Sequence, residues 1–274
     1  YGVIEGITEW LPISSTGHMI LAEQVLKFSF SAEFMEMFRV VIQLGAILAV
    51  VVMYFKKLWR FCVDNGRDSG LAKHVRWPVM RLWFKIIVAC LPAAVLGLLL
   101  DDWMDAHLYN SVVVAIMLIV YGIAFILIER RPRVPTTTKL SRITYKQAII
   151  VGAWQVLALI PGTSRSGATI IGGLLCGMSR ACASQFTFFL AIPVMAGASG
   201  LKLVKFLAKG GVFTLGEVGT LLVGCIVAFV VSILAIRFLM DYVKKHTFTV
   251  FGWYRIALGI LVLGIWALQS FVLA

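Results

Sequence analysis

The chain has 274 residues, of which 61% are apolar and only 14% are charged, and its mean hydropathy is +0.95. Ordinary soluble domains carry about 25% charged residues, so this composition excludes a typical soluble protein and indicates one embedded in a bilayer. The net charge of +12 would suit anionic partners. However, the basic residues lie in loops between apolar segments, which is the usual charge bias of membrane proteins, and we expect no nucleic-acid partner.

Six apolar segments are long enough to cross a bilayer, which takes roughly 20 mostly apolar residues. In chain order they cover about 38–55, 83–100, 111–128, 186–204, 218–240 and 253–273. Two further apolar segments, about 1–28 and 147–180, are interrupted by polar residues, Pro and Gly, and each is expected to enter and leave the membrane on one side. The sequence thus predicts an all-α polytopic membrane protein with six transmembrane helices and two re-entrant helical segments.

The two interrupted segments resemble each other. Their matching stretches are EGITEWLPISSTGH, residues 5–18, and WQVLALIPGTSRSGAT, residues 154–169. In both, an apolar run ends in Pro and is followed by small hydroxyl residues and Gly, and aligning Pro12 with Pro161 sets Ser15 opposite Ser164. Each segment leads into three spans, an odd number, so the second half must enter the membrane from the opposite side to the first.

This inverted-topology repeat predicts the organisation of the chain. We expect one integral membrane domain, 1–274, made of two inverted repeats at about 1–130 and 147–274. Irregular backbone is tolerated at membrane depth only where it is buried in protein or lines a water-filled cavity. Both interrupted segments should therefore face one shared internal cavity.

The charges of the loops predict the orientation. Basic residues cluster in the loops after spans one, three and five, whereas the loop after span two holds Asp101, Asp102 and Asp105 and no Lys or Arg. Basic loops face the cytoplasm. The first interrupted segment then enters from the outer side, and we expect the cavity to open there.

Glu5 and Glu9 are four residues apart, so on a helix they share one face. Ionisable residues inside a membrane segment are costly and are functional candidates by default. Two carboxylates suit a divalent cation that also binds substrate phosphates, such as Mg²⁺ or Ca²⁺. We expect both to be metal ligands and Glu9 to be catalytic as well; the alternative is a pair of acids at the membrane surface.

Ser14, Ser15, Thr16, Gly17 and His18 follow soon after. Hydroxyls and backbone N–H groups beside a Gly can hold phosphate oxygens at the start of a helix, so Ser14, Thr16 and Gly17 are candidate substrate-binding residues. His18 lies three residues after Ser15, and the two could meet on one helical turn as nucleophile and base. The alternative is that the hydroxyls cap the next helix.

The second interrupted segment carries a matching polar cluster. Its members are Ser164, Arg165, Ser166, Gly167 and Thr169. Arg165 has no carboxylate nearby in the sequence, and its planar fork matches two phosphate oxygens. We expect Arg165 to be catalytic and its four neighbours to bind substrate; the alternative is an ion pair between Arg165 and Glu5 or Glu9.

Other polar residues in the spans are weaker candidates. Gln43 interrupts the first span and is a candidate substrate-binding residue of the cavity, whereas Arg255 starts the last span and is expected to extend to the interface. The cysteines fit neither a disulfide framework nor a metal cluster and are expected to be packing residues. They are Cys62, Cys90, Cys176, Cys182 and Cys225.

The motifs EGITEWLPISSTGH and PGTSRSGAT, with the stretches VIQLGAILAV and FTFFLAIPVM, resemble the undecaprenyl-diphosphatase family, also called the bacitracin-resistance proteins. The likeness runs along the whole chain, and neither motif departs from the family pattern. It implies a bacterial inner-membrane enzyme, facing the periplasm, that hydrolyses undecaprenyl diphosphate to the monophosphate and recycles the lipid carrier of peptidoglycan synthesis. The catalytic set it implies is Glu5, Glu9, Ser14, Ser15, His18, Ser164, Arg165, Ser166 and Thr169.

The residues and the resemblance together predict a reaction. Ser15 would attack the terminal phosphorus of a polyprenyl diphosphate with His18 or Glu9 as base, while Arg165, backbone N–H groups and the cation offset the developing charge. His18 itself and a metal-bound water are alternative nucleophiles. Membrane lipids are the other expected partners, and a homodimer is one open arrangement.

Two other functions compete with this one. Inverted repeats with broken helices occur in transporters, so a transporter or lipid flippase is the main alternative. The membrane lipid phosphatases with Ser-Gly-His and Ser-Arg motifs are disfavoured, because that class needs a second His after its Ser-Arg pair and none follows Arg165 closely.

Overall fold

The structure is a computed structural model that describes residues 1–26, 30–59, 61, 74–131 and 134–272. Within these ranges the regular elements are helices, and β-structure is limited to two isolated bridges. The helices are α1 Gly2–Thr8, α2 Ser15–Val25, α3 Ala32–Val41, α4 Gln43–Met53, α5 Phe55–Leu58, α6 Trp77–His107, α7 Ser111–Glu129, α8 Tyr145–Val156, α9 Arg165–Leu175, α10 Arg180–Ala208, α11 Leu215–Lys245 and α12 Thr249–Val272. The predicted all-α class is confirmed.

Among the described residues, six helical stretches are long and apolar enough to cross a membrane. They are Ala32–Met53, Trp77–Leu100, Ser111–Glu129, Arg180–Ala208, Leu215–Lys245 and Thr249–Ser270. Each contains most of one predicted span, so the protein is a multi-pass membrane protein. The predicted limits were too short: α6 continues to His107, so Asp101, Asp102 and Asp105 belong to its last turns rather than to a loop.

The first span consists of two helices. α3 ends at Val41 and α4 begins at Gln43, with Ile42 between them. Because the span is broken here, the half-buried Gln43 is the first residue of α4 rather than a residue in the middle of a continuous helix. The free cysteines that the structure describes are half-buried or buried, as expected of packing residues; Cys62 lies outside the described residues.

Each interrupted segment folds as a helix, a turn and a second helix. The turns end at Ser14 and Ser164, which adopt positive φ angles of 72° and 70° and immediately precede α2 and α9. The residue opposite Ser164 is therefore Ser14, and the predicted register that paired it with Ser15 was wrong by one position. The reason is the turn length: one residue lies between Pro12 and its cap position, Ser14, and two lie between Pro161 and Ser164.

The two halves exchange packing partners. α1 packs on α11 and α8 packs on α6, so the first helix of each half lies against the second span of the other. The third spans pair as α7 with α12, and a Cβ added to Gly122 would lie 2.7 Å from the carbonyl oxygen of Gly252, so these helices touch backbone to backbone. This exchange agrees with two repeats related by a two-fold axis. The membrane sidedness of the halves and the re-entrant course of the broken segments stay predictions.

Candidate active site

The turns of the two interrupted segments meet inside the protein. Ser166 at the start of α9 donates to the carbonyl of Leu11, 3.4 Å away in the first turn. Trp10 of the same turn is fully buried and packs edge-on against Phe188 of α10, with ring centroids 5.3 Å apart. The predicted residues of both clusters therefore lie in one interior region, as the repeat suggested.

An ion pair between Glu9 and Arg165 connects the two segments. Nε and Nη2 of Arg165 donate to Oε1 of Glu9 at 3.2 and 3.0 Å, and Nη1 donates to the carbonyl of Thr187 at 3.1 Å. Only 11% of the Arg165 side chain and 9% of the Glu9 side chain are exposed. The structure therefore shows the ion pair that was considered as an alternative to phosphate binding, and Glu9 is the partner.

The other carboxylate oxygen of Glu9 is bonded to Ser15. The Ser15 hydroxyl donates to Oε2 of Glu9 at 3.3 Å. A single carboxylate thus accepts from the candidate nucleophile of one segment and the candidate phosphate-binding guanidinium of the other. This geometry favours Glu9 as the base that would take the proton of Ser15.

His18 has different partners. Its Nδ1 lies 2.7 Å from the carbonyl oxygen of Ser14, and its Nε2 lies 2.7 Å from the hydroxyl of Tyr254. The predicted contact between His18 and Ser15 is not among the hydrogen bonds of these described residues. Tyr254 was not predicted, because an aromatic residue in an apolar span gives no signal of function in the sequence.

The hydroxyls of the second cluster form hydrogen bonds with other groups of the protein. Ser164 accepts from the backbone N–H of Gly167 at 3.2 Å, and so caps α9, while its hydroxyl also lies 3.2 Å from that of Ser166. Thr169 donates to the carbonyl of Arg165 at 2.8 Å and accepts from Thr187 at 2.9 Å. These side chains fix the start of α9 around Arg165.

In the first cluster, fewer hydroxyl groups have hydrogen-bond partners in the protein. Ser14 makes no side-chain capping bond, and its buried hydroxyl has no partner, so the capping alternative is not realised by Ser14. Thr16 lies in the first turn of α2. A Cβ at Gly17 would lie 2.9 Å from the Leu118 side chain, so Gly17 lets α2 approach α7 closely.

Glu5 is completely buried, and neither of its carboxylate oxygens has a hydrogen-bond partner. Gln43 lies beside Glu5, and Glu9 and Arg165 are charged groups near Glu5. The other buried side chains with an unpaired polar atom in the described part of the chain are Trp10, Ser14, Gln155, Thr163 and Ser184. All but Ser184 belong to the two interrupted segments, which marks this region as polar and incompletely satisfied by protein groups.

Glu5 and Glu9 are the candidate ligands of the predicted divalent cation. In the part of the chain that the structure describes, no group of three or more His, Cys, Asp or Glu side chains could enclose a metal. Mg²⁺ is commonly held by one or two carboxylates and completed by substrate phosphates and water. The unpaired oxygens of Glu5 would provide part of such a set, together with Glu9, whose oxygens accept from Arg165 and Ser15 in the structure.

Arg255 is the residue whose role the sequence analysis missed. It is fully buried rather than extended to the interface. Its guanidinium donates to carbonyls of both turns, at 3.2 Å to Pro12 and at 2.9 Å to Gly162 and Thr163, and it lies 5.6 Å from the ring centre of Tyr121. The expectation failed because α12 begins at Thr249, which places Arg255 almost two turns inside the helix.

Comparison with known proteins agrees with these features. Residues 1–261 match the family described as bacitracin resistance protein BacA. An undecaprenyl-diphosphatase of Enterococcus faecalis is 61% identical over 97% of this chain and 95% of its own length. Proteins of the same name from Streptococcus thermophilus and Lactococcus lactis are 57% and 55% identical, over 96% and 99% of the chain and 90% and 96% of their own lengths.

Proposed function

Because this chain belongs to the bacitracin resistance protein BacA family, we propose that it hydrolyses undecaprenyl diphosphate to undecaprenyl phosphate and phosphate. Its relatives carry the name undecaprenyl-diphosphatase at 55–61% identity across nearly the whole chain. The observation that carries the proposal at the level of atoms is the Glu9 carboxylate, which is bonded to Ser15 of one turn and to Arg165 of the other. These are the nucleophile, base and anion-binding groups that phosphoryl transfer needs.

The reaction would proceed through Ser15. Glu9 accepts the proton of the Ser15 hydroxyl, and the oxygen attacks the terminal phosphorus of the diphosphate. The bond from that phosphorus to the bridging oxygen breaks, and the lipid monophosphate leaves with the electron pair. Glu9 gives the proton to the leaving lipid monophosphate and is a carboxylate again. It then takes a proton from water, which attacks the phosphoserine; the bond from phosphorus to the Ser15 oxygen breaks, phosphate is released, and Ser15 regains its proton from Glu9.

Arg165 has two tasks in this scheme. In the structure its guanidinium donates to one oxygen of Glu9 and to one backbone carbonyl. These bonds hold the guanidinium where the two turns meet, which is the first task. A diphosphate carries several anionic oxygens and competes with Glu9 for the same donors. The second task follows from this competition. When Arg165 binds the diphosphate instead of Glu9, the Glu9 carboxylate loses the ion pair that stabilises its charge and becomes a stronger base.

Glu5 and Glu9 are the residues that would hold a divalent cation, Mg²⁺ or Ca²⁺. Such an ion draws negative charge away from phosphate oxygens as the phosphorus–oxygen bond breaks. Its binding would also compensate two carboxylates that stand close together inside the protein, Glu5 being without hydrogen bonds. A chelator should therefore lower activity, and added Mg²⁺ or Ca²⁺ should restore it.

The decisive experiment is phosphate release from a polyprenyl diphosphate by the protein purified in detergent. Hydrolysis without a membrane gradient is expected of a phosphatase and not of a transporter or flippase, the alternative that the repeated architecture alone would suggest. Glu9→Gln is the matched inactive variant, because it keeps the shape of the side chain and removes the base. Equal release by the parent and this variant would refute the proposed site.

The proposal includes a location, a bacterial inner membrane with the site open to the periplasm. The basic loops support it, since Lys56, Lys57, Lys139, Lys244 and Lys245 lie on one side of the predicted topology, whereas Lys205 and Lys209 are the lysines after span four on the other side. Single cysteines at the exposed Glu33 and Lys139, in a background without the native cysteines, would test it. An impermeant thiol reagent added to spheroplasts should label position 33 only; labelling of position 139 only would reverse the orientation.

A further inference from the structure

Three contacts fix the ring of His18. Nδ1 lies 2.7 Å from the carbonyl oxygen of Ser14, Nε2 lies 2.7 Å from the hydroxyl of Tyr254, and the rings of His18 and Tyr254 stack at 5.6 Å with an angle of 8°. An imidazole that is held through both nitrogens and one face has a single orientation. Tyr254 supplies two of these three contacts.

The chemistry of the partners assigns the proton. A carbonyl oxygen only accepts hydrogen bonds, so the nitrogen that faces Ser14 must carry a proton. In the neutral ring the other nitrogen is then an acceptor, and the Tyr254 hydroxyl must be its donor. The Ser14 carbonyl therefore sets the tautomer of His18 with the proton on Nδ1, and Tyr254, by donating to Nε2, holds the ring in the orientation that keeps Nδ1 on this carbonyl.

This tautomer matters because of what Nδ1 holds. Ser14 has a φ of 72°, an unfavourable angle for a residue with a side chain, and it directly precedes Ser15 at the start of α2. The Nδ1 proton of His18 binds the carbonyl of this strained residue. A ring that rotates away when the contacts of Tyr254 are lost would no longer donate to that carbonyl and would weaken the turn that places Ser15 beside Glu9.

We propose that Tyr254 is a positioning residue of the proposed phosphatase reaction, acting on Ser15 through His18 and the Ser14 carbonyl. The inference rests on the proposed function, and it gives His18 a task that needs no contact with the Ser15 hydroxyl, which is bonded to Glu9. It also gives two neighbouring residues of α12 the same role, which is to hold the turns of the interrupted segments in place. Tyr254 fixes the first turn through His18, and Arg255 binds the carbonyls of both turns.

Tyr254→Phe removes the hydroxyl and keeps an aromatic ring to stack on His18. The loss of one hydrogen bond that is needed in the transition state should lower kcat roughly 10-fold, while KM changes by less than about 2-fold because no substrate contact is lost. In ¹⁵N spectra, the signal of the unprotonated Nε2 of His18 should shift because its hydrogen bond from Tyr254 is lost, and the Nδ1 signal should report a weaker bond to Ser14. His18→Gln, used to assign those signals, should make the Tyr254→Phe change silent in kcat.

Tyr242→Phe is the matched control. Tyr242 also stacks on a histidine, His246, with ring centroids 4.6 Å apart, but at the far end of α11. This variant should leave kcat and the His18 signals unchanged. The proposal is overturned if Tyr254→Phe leaves the nitrogen signals of His18 unaltered, or alters them without lowering kcat. If the parent releases no phosphate at all, the proposed function fails, and the nitrogen signals alone then decide whether Tyr254 holds His18.

Discussion

The two interrupted segments share a backbone design and differ in how their polar groups are used. In both, a serine at positive φ ends a turn and starts an 11-residue helix. At the helix start of the second segment, Ser164, Ser166 and Thr169 all bond to protein groups, and the unpaired polar atoms of this segment, on Gln155 and Thr163, precede the helix. In the first, Glu5 and Ser14 have polar atoms without any partner.

This difference separates two tasks within one site. A saturated set of hydroxyls gives a rigid helix start that holds Arg165 in place, whereas unpaired carboxylate and hydroxyl oxygens leave capacity for a cation or a phosphate. The second segment is therefore interpreted as the anion-binding support and the first as the reactive half. Substitutions at matched positions of the two segments can break or sharpen this division.

The largest contrast is expected between two serines. Ser15→Ala removes the proposed nucleophile and should lower kcat by at least about 10³-fold. Ser164→Ala removes a helix cap, a loss of about 1 kcal/mol, and should lower kcat less than about 10-fold. Phosphate release by both purified variants measures the contrast, and losses of equal size would contradict the division of tasks.

Arg165→Lys should be nearly as damaging as Arg165→Ala, with activities within a few-fold of each other, because Lys keeps the charge but loses the planar fork that binds two oxygens. Arg180→Lys is the matched control, since Arg180 also makes a forked bond, to Glu129, away from the site. Kinetics on the three variants provide the measurement. Activity of Arg165→Lys close to that of the parent would show that charge alone suffices.

Replacement of Arg255 should affect folding as much as catalysis. Arg255→Met leaves the buried carbonyls of Pro12, Gly162 and Thr163 without their donor, and each unsatisfied buried group costs about 1–3 kcal/mol. We expect a lower unfolding temperature in detergent together with reduced activity. An unchanged unfolding temperature would mean that the two turns are held together by other contacts.

The smallest effect is expected at Thr169. Thr169→Val keeps the volume and removes the hydroxyl that bonds to Thr187 and to the carbonyl of Arg165. The loss of about 1–2 kcal/mol should appear as a lower unfolding temperature and a few-fold lower kcat. If Thr169 instead touches substrate, as the sequence suggested, KM would rise with little change in unfolding temperature.

Composition and length were enough to predict the six membrane-length helices, because each apolar run is long and nearly free of charge. The polar motifs were also enough to bring Glu9, Ser15 and Arg165 into one site. What could not be read from the motifs is which residue pairs with which. Ser15 and His18 are three residues apart and were expected to meet on one helical turn. In the structure Ser15 bonds to Glu9 and His18 bonds to Tyr254, and both partners lie outside α2.

Two further details depended on three-dimensional packing. The register between the repeats shifted by one residue because the second turn is longer, and only the backbone angles at Ser14 and Ser164 reveal the matching positions. Arg255 looked like an interfacial residue because the start of α12 was placed four residues too late. Its role comes from carbonyl groups, which leave no trace in a sequence.

The central claim is that Glu9 and Ser15 act as one unit, and a double-mutant cycle tests it most directly. Phosphate release would be measured for the parent, Glu9→Gln, Ser15→Ala and the double variant. If Glu9 is the base of Ser15, the double variant should lose no more activity than the more damaged single variant, within a few-fold. Losses that multiply would show that the two residues act independently, and would contradict the mechanism.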